Sequence, residues 1–550
     1  MKMTTALMLR LTISLATLLA AANAGAQNLT APAGTATGEK LGSVSFPVSC
    51  APSVQASVNR GVALLHDFWY EEAGPQFKRI LAADPTCAMA HWGIAMSGFH
   101  QIWDRPDEDA LAAGWREMKA AQSPPAKTAR EREYITALAN FFRPGKRDYQ
   151  ARIDAYVRAL QTLYKHYPQD VDAGAFYALA LLAAQAPDDT SLAKPHAALA
   201  VLTPLWSRYP DHPGLVHYII HACDTPSLAP QGLAAAKHYG EIAASGSHAV
   251  HMPGHIFARL GMWQEDIDSQ VASIAAADAA QAGGESGWMG QFHSDDFLEY
   301  AYLQAGQEAR AKAVVDTAAK AIAHYKSMPN MTPDMFGMFP NYQVKLPIFF
   351  ALETRDWPAV LAVEPIKDAP PDTQTQVYWA RAIAAGHLHN SQHAREALAG
   401  YDPLMKKSYE AGSTSAKVGR GEMVAWIAYA GGNITEALRQ MRESADLQDK
   451  VGQGEVDIPA REMLADMLLE SGRPQEALVE YQADLKLSPN RFNGLFNAGK
   501  AAEAAGAAGE ARNYYAALLK STNNGSQSTR TEIQHAKALI ASASLAVKSP

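Results

Sequence analysis

The segment at 468–489, LLESGRPQEALVEYQADLKLSP, decides the fold, because its key residues return in the next segment, EAAGAAGEARNYYAALLK at 503–520. Four residues recur after 34 positions: Gly472, Glu476, Ala477 and Tyr481 return as Gly506, Glu510, Ala511 and Tyr515. Small residues suit close contact between two helices, tyrosine fills the next gap, and glycine permits the tight turn between the helices. A helix-turn-helix unit repeated every 34 residues is therefore predicted.

Histidines show the same period near the middle of the chain, in HPGLVHYIIHACD at 212–224 and SHAVHMPGHIFARLGMW at 247–263. The pair His217/His221 returns as His251/His255, again after 34 residues. If both segments are first helices of consecutive units, each pair lies one turn apart and faces the same way. Four imidazoles are then expected to meet across two packed helices.

The repeat pattern extends over most of the chain, in segments at 68–85, 258–274, 300–316 and 429–447. These segments resemble tetratricopeptide repeats, and the chain as a whole resembles a group of secreted bacterial tetratricopeptide proteins. The second resemblance rests on SCAPS at 49–53, CAMAHWGIAM at 87–96, the two histidine segments, and PAREMLADMLLESGRPQEAL at 459–478. This resemblance implies the fold but does not indicate an activity. From about residue 50 onward, apolar residues recur at spacings of three and four, so the predicted class is all-α, a tetratricopeptide-type α-solenoid of about a dozen helix pairs.

The chain is expected to divide into six parts. Residues 1–26 resemble a secretory signal, because Lys2 and Arg10 flank a short apolar run that ends in Ala-x-Ala. We therefore predict a periplasmic or secreted bacterial protein, and no later segment is apolar enough to predict a membrane span. The remaining parts are a flexible leader, an N-terminal array with a histidine-lined concave face, a linker, a C-terminal array and a tail with a terminal helix, at 27–46, 47–369, 370–374, 375–520 and 521–550.

Composition excludes several functions. The net charge of −8 becomes −10 once Lys2 and Arg10 are removed, and an acidic chain without long basic runs argues against a nucleic-acid partner. Phosphate-loop, dinucleotide and serine-hydrolase motifs are missing. Of the three cysteines, Cys50 and Cys87 each precede a predicted first helix, so a disulfide between them is predicted, which leaves Cys223 as a buried apolar side chain or a soft ligand.

The histidine segments suggest a metal site. Imidazole is the commonest protein ligand for transition metals, and several imidazoles with a carboxylate suit zinc or copper. Pro253 and Gly254 make the second pair less regular than the first, because both residues are poor helix formers. Methionines at 328, 331, 335 and 338 would favour copper, although methionine more often fills gaps. The candidate ligands are His217, His221, His251, His255, His293, Asp296, Asp224 and His248.

The alternative is that these histidines line a polar groove. His66, His91, His100, Trp103 and Tyr300 are candidate groove residues. Such arrays bind extended segments on the concave face, so the first function predicted is binding of a peptide, a protein segment or a small ligand. The second is a metal-binding protein or a metal-dependent enzyme, and the sequence leaves open whether the chain is catalytic.

Overall fold

The computed structural model describes residues 38–186, 189–284, 290–327, 338–410 and 412–546. Within these ranges the secondary-structure elements are helices joined by turns and loops. The first half contains α1 (Gln55–His66), α2 (Tyr70–Ala83), α3 (Ala88–Ser97), α4 (Glu108–Ala120), α5 (Ala129–Phe142), α6 (Tyr149–His166), α7 (Val171–Ala183), α8 (Ala193–Trp206), α9 (Pro213–Cys223), α10 (Ala229–Ile242), α11 (Ser247–His251), α12 (Pro253–Arg259) and α13 (Trp263–Ala282).

The second half contains α14 (Gly290–Gln304), α15 (Glu308–Lys326), α16 (Phe339–Glu353), α17 (Trp357–Ala362), α18 (Pro371–His387), α19 (Ser391–Glu410), α20 (Thr414–Ala430), α21 (Ile434–Val451), α22 (Ala460–Glu470), α23 (Pro474–Leu487), α24 (Phe492–Ala504), α25 (Ala508–Ser521) and α26 (Thr531–Ala546). Successive helices pack against each other in pairs, and each pair packs on the next. With α11 and α12 counted as one broken helix, the described ranges hold twelve pairs and a terminal helix. The predicted all-α solenoid is confirmed.

The 34-residue repeat has the predicted physical basis. Gly472 and Gly506 adopt φ of +74° and +77° in the turns between the two helices of their pairs, a backbone conformation that glycine adopts without strain. Tyr481 and Tyr515 are fully buried in the second helices. The first and second helices of each pair are held together by these packed aromatic rings.

Helix ends follow local sequence. Thr128 and Glu131 form a reciprocal capping box at the start of α5, and aspartates cap α4, α6 and α7 through their side chains. Proline occupies the first turn of α9 and α12, where its missing N–H costs nothing. No helix in the described ranges is long and apolar enough to cross a bilayer.

Buried apolar side chains form two large clusters. One extends from Leu41 to Ala280 and the other from Ala258 to Ala536. Their spans meet at α12 and α13, next to the two histidine segments. The predicted linker at 370–374 lies within the span of the second cluster, and α18 begins inside it, at Pro371.

The predicted leader at 27–46 is described only from residue 38, and residues 1–37, including the predicted signal, lie outside the described ranges. Residues 38–46 are packed against the solenoid. Phe46 is fully buried and stacks on Trp92 with ring centroids 5.5 Å apart, and the Gly42 amide donates to the Ile242 carbonyl. The absence of a hydrophobic period did not reveal this contact, because one aromatic anchor and a few backbone hydrogen bonds are enough to hold an extended segment.

Cys50 and Cys87 are joined by a disulfide, with their Cα atoms 4.9 Å apart, and Cys223 is buried. The bond joins the residues before α1 to the start of α3, so it ties two successive helix pairs together. Met328, Met331 and Met335 lie outside the described ranges, and Met338 packs beside Phe339 in a small apolar cluster.

Candidate metal centre

Three histidines converge where α9 meets α11, and we call them the first trio: His217, His221 and His248. The Nε2 atom of His217 lies 3.0 Å from Nε2 of His221 and 3.2 Å from Nε2 of His248. His217 and His221 are one turn apart on α9, as the spacing predicted. His248 comes from the following pair, so the trio joins two neighbouring first helices.

The second trio consists of His251, His255 and His293, from α11, α12 and α14. Nε2 of His251 lies 2.9 Å from Nε2 of His255. The expected irregularity around Pro253 is small, because Met252 keeps right-handed helical dihedrals between α11 and α12. Within each trio the ligand atoms all lie within 4.8 Å of one another. Sequence reasoning placed the two pairs together, whereas the structure divides them between two trios, each completed by a histidine of the next helix pair.

Hydrogen bonds to the opposite ring nitrogen orient three of these rings. Nδ1 of His217 lies 2.6 Å from the backbone carbonyl oxygen of His66. Nδ1 of His251 lies 2.7 Å from Oε1 of Gln270, and Nδ1 of His255 lies 2.9 Å from a carboxylate oxygen of Asp224. Because these partners are acceptors, each Nδ1 carries a proton, and the neutral rings of His217 and His251 each point a lone pair from Nε2 into their trio. Histidines that bind a metal donate their other ring N–H to an acceptor in the same way.

Two facing lone pairs repel unless a cation lies between them. In the second trio, neutral His251 and neutral His255 would both present a bare Nε2 across 2.9 Å. A proton on one Nε2 or a metal ion resolves the conflict. The second trio therefore holds either a proton or a metal ion between these two nitrogens.

Burial keeps most of the rings neutral, the form in which histidine binds metals. Removal from solvent lowers the pKa of His217 and His293 to about 3, and lowers the pKa of His221, His248 and His251 well below its usual value. For His255 burial also acts to lower the pKa, but the adjacent carboxylates of Asp224 and Glu455 outweigh it and raise the pKa to about 10. His255 is thus the ring that carries the proton when no metal is bound.

Carboxylates flank the second trio. Asp224 accepts from His255 and from Arg259, whose Nε lies 3.0 Å away. Glu455 reaches the same place from the loop between α21 and α22, with Oε1 3.2 Å from Nδ1 of His255. Sequence reasoning found Asp224 but missed Glu455, because nothing in the segment GQGEVD indicates a contact with a residue 200 positions earlier. Asp296 is bound by the ammonium group of Lys345 and faces no ring of the trios in a hydrogen bond within the described ranges.

A phenylalanine packs over each trio. The Phe68 ring lies 5.5 Å from the rings of His221 and His248, nearly parallel to both. The Phe297 ring lies 4.9 Å and 4.8 Å from the rings of His251 and His255. Phe68 adopts a positive φ of 56°, an unfavourable backbone conformation for a phenylalanine, and the strain is balanced by its packing. Both aromatic rings limit the access of water to the histidines.

The predicted groove residues are dispersed. His66 is fully buried and its Nε2 lies 3.0 Å from Asp172, which also contacts His212. His91 pairs with Glu117, and Tyr300 donates to the Asp457 carbonyl. His100 bonds to Asp104 and lies near Trp103, whose side chain is 46% exposed. Of this set, Trp103 lies close to the first trio, with its ring 4.8 Å from that of His248.

Comparisons with known proteins add little. No family model matches the chain, and no curated protein matches it. Among solved structures, the chain is similar to one titled "Structure of Naa15/Naa10 bound to HypK-THB", with 13% identity, 89% of this chain and 74% of that chain covered, and a TM-score of 0.23. The P58(IPK) TPR domain gives 13% identity, 89% and 99% coverage and a TM-score of 0.21. These scores are too low to support an argument, so the fold assignment rests on the helix pairs and their repeat.

The chain is an all-α solenoid of stacked helix pairs with a 34-residue repeat. Its departure from a plain array of this type is the pair of histidine trios, placed where the two hydrophobic clusters meet. The solenoid supplies the first helices α9, α11 and α14 side by side, and these helices carry five of the six rings, with His255 at the start of α12.

Proposed function

We propose that the protein binds a transition metal through its histidine trios. The observation that supports this most strongly is the convergence of Nε2 lone pairs from rings whose Nδ1 atoms are already bonded to acceptors. A polar groove for peptides has no need for rings oriented toward one another at 3 Å. A metal ion satisfies the converging lone pairs directly.

Zinc and copper suit this ligand set best. Neutral imidazoles are borderline ligands for which zinc and copper compete well, and three ligands leave a fourth position open for water or substrate. An open position suits either a carrier or an enzyme. In an enzyme the ion would activate water, and Asp224 or Glu455, rather than Asp296, would be the adjacent carboxylate.

The test is metal binding by the chain without an affinity tag. The protein is stripped with a chelator, titrated with zinc and with copper(II), and compared with His217→Ala and His251→Ala variants, which each remove one oriented ligand. His238→Ala is the matched control, because His238 pairs with Asp211 on the surface. We expect tight binding by the parent and the control, and in each variant at least a tenfold weaker affinity at the altered trio alone, in line with loss of one ligand.

The same number of bound ions at the same affinity in the parent and both trio variants would exclude the proposal. Circular dichroism of each variant shows whether helical content is retained, so that loss of binding is not confused with unfolding.

A second candidate function is binding of a peptide or small ligand, the first expectation from the sequence. The supporting observation is the exposed indole of Trp103, which lies 5.5 Å from the Tyr70 ring and next to His100 on the outside of the first trio. Exposed aromatic side chains are enriched at interaction sites. Isothermal titration with a peptide library, repeated with Trp103→Ala, would test this; unchanged binding in the variant would exclude this surface.

We also propose that the protein is exported. The apolar segment at 1–26 and the Cys50–Cys87 disulfide support this, because disulfides persist in oxidising compartments. Intact mass of the protein from a fractionated cell tests the proposal. An intact N-terminus found in the cytoplasm would contradict it.

A further inference from the structure

The two histidine trios share one compartment. The rings of His248 and His251, one from each trio, have centroids 5.9 Å apart, and those of His221 and His255 are 6.5 Å apart. Within the trios the ring spacings range from 4.4 Å to 6.4 Å. The spacings between the trios are therefore close to the largest spacings inside them.

One short helix supplies ligands to both trios. His248 and His251 lie three residues apart on α11, so they are neighbours on its surface. His221 lies on α9 and His255 on the adjacent α12. His221 shares the first trio with His217 of the same helix, and His255 shares the second trio with His251, one turn earlier. A shift of one trio relative to the other would require breaking α11.

Each trio by itself is an incomplete coordination shell. A tetrahedral ion takes four ligands, and each trio offers three imidazole nitrogens. The neighbouring trio cannot supply the fourth ligand without giving up its own ion. A small oxygen ligand placed between two ions would complete both shells at once, as in known two-metal sites, where the ions lie about 3.5–4 Å apart.

Two cations in one compartment need nearby negative charge. Asp224 and Glu455 lie beside His255, with Arg259 bonded to both. Buried carboxylates are costly without a compensating cation. Asp224 and Glu455 are thus the carboxylates placed to offset the charge of the ions.

We propose that the two trios form a dinuclear centre: one transition-metal ion in each trio, joined by a bridging hydroxide in the space between them. This inference rests on the proposed metal binding and adds the number of ions and their coupling. Phe68 packs on rings of the first trio and Phe297 on rings of the second.

The experiment uses copper(II) and electron paramagnetic resonance of the full chain. The protein is stripped of metal with a chelator and then loaded with copper(II) to saturation. Bound copper is measured by elemental analysis, and the intensity of the spin signal is compared with the amount of bound copper. Two hydroxide-bridged copper(II) ions couple antiferromagnetically, so the parent is expected to bind two ions and to lose most of its signal at full loading.

Single-trio variants isolate the coupling. His221→Ala removes a ligand of the first trio and His293→Ala a ligand of the second, and in the described part of the chain neither ring is bonded to the backbone. Each variant is expected to bind one ion with a spin intensity equal to its copper content. His238→Ala is expected to behave as the parent.

The possible failures are distinguishable. No copper bound by the folded parent would overturn both the proposed function and this inference. One ion per parent chain, or two ions with undiminished signal, would overturn the dinuclear centre while leaving metal binding in place.

Discussion

At the scale of single residues, histidine chemistry here is controlled by what each ring contacts. The same side chain is a buried neutral ring at His217, a protonated partner of carboxylates at His255 and a buried donor at His66. Burial sets the first state, nearby carboxylates the second and a single buried aspartate the third. The spacing of the histidines in the sequence carries none of this information.

The lowered pKa of His293 makes a pH-dependent contribution to stability. In the unfolded chain the ring binds a proton below about pH 6.5, but in the folded chain burial lowers its pKa to about 3, so the contribution is lost as pH falls through this window. Between pH 7 and 5 this amounts to about 2 kcal/mol. Urea unfolding of the metal-free proteins measures this. Between pH 7 and 5, the free energy of unfolding should fall by about 2 kcal/mol less in His293→Gln than in the parent.

The comparison with the variant is needed because buried acids act in the opposite direction. Burial raises the pKa of Asp266 to about 8, so its contribution grows as pH falls. An equal pH dependence in the parent and His293→Gln would contradict the prediction.

Asp172 is expected to contribute strongly to the free energy of unfolding. It accepts from Nε2 of both His66 and His212, at 3.0 Å and 3.2 Å, and all three residues are buried. Asp172→Ala leaves two buried donors without an acceptor, which should cost about 2–5 kcal/mol in the free energy of unfolding. Asp211→Ala removes the matching partner of exposed His238 and should change stability by less than about 1 kcal/mol. Similar losses in the two variants would refute the assignment.

At the scale of elements, close approach between helices decides the packing of each pair. A Cβ at Gly499 would lie 2.5 Å from the ring of Tyr515, and a Cβ at Gly386 would lie 2.3 Å from that of Trp426. These glycines were not among the matched repeat positions. The tyrosine was predicted to fill a gap, and the structure shows that the gap exists because the facing residue has no side chain.

Gly499→Ala should destabilise the C-terminal pair. The added methyl group overlaps a fully buried ring, and overpacking of this kind costs about 1–3 kcal/mol. Gly509→Ala, on α25 of the same pair, is the control, because its Cβ would meet only the end of the Arg512 side chain at 3.9 Å. Thermal unfolding should show a lower midpoint for the first variant and an equal or higher one for the second. The reverse order would contradict the packing described.

At the scale of the whole molecule, the later repeats fold back on the middle of the chain. Arg259 donates to the Gln453 carbonyl and Trp263 to the Asn490 carbonyl, at 2.6 Å and 2.8 Å. Buried Arg491 bonds to Glu353 and Glu462 and also contacts Tyr300. These contacts bring Glu455 to the second trio, so the candidate metal centre draws on both halves of the chain.

Arg491→Met should be severely destabilising. It leaves the carboxylates of Glu353 and Glu462 buried without their cation, a loss of about 3–5 kcal/mol. Arg473→Ala is the control, because its pair with Glu476 is exposed and is worth at most about 1 kcal/mol. Chemical unfolding measures both, and a small effect of Arg491→Met would show that the halves are held together by other contacts.

The sequence by itself determined the repeat, the helical class and the side-by-side placement of the histidine segments, because a helical pair carries its period and its turn glycines in local sequence. It also predicted the Cys50–Cys87 bond, which the structure contains. Only the tertiary structure decided how six histidines divide into two trios, which nitrogen of each ring faces inward, and that Glu455 joins them. Those features depend on contacts between residues far apart in the chain, and no local pattern encodes the orientation of a side chain toward a partner that folding brings beside it.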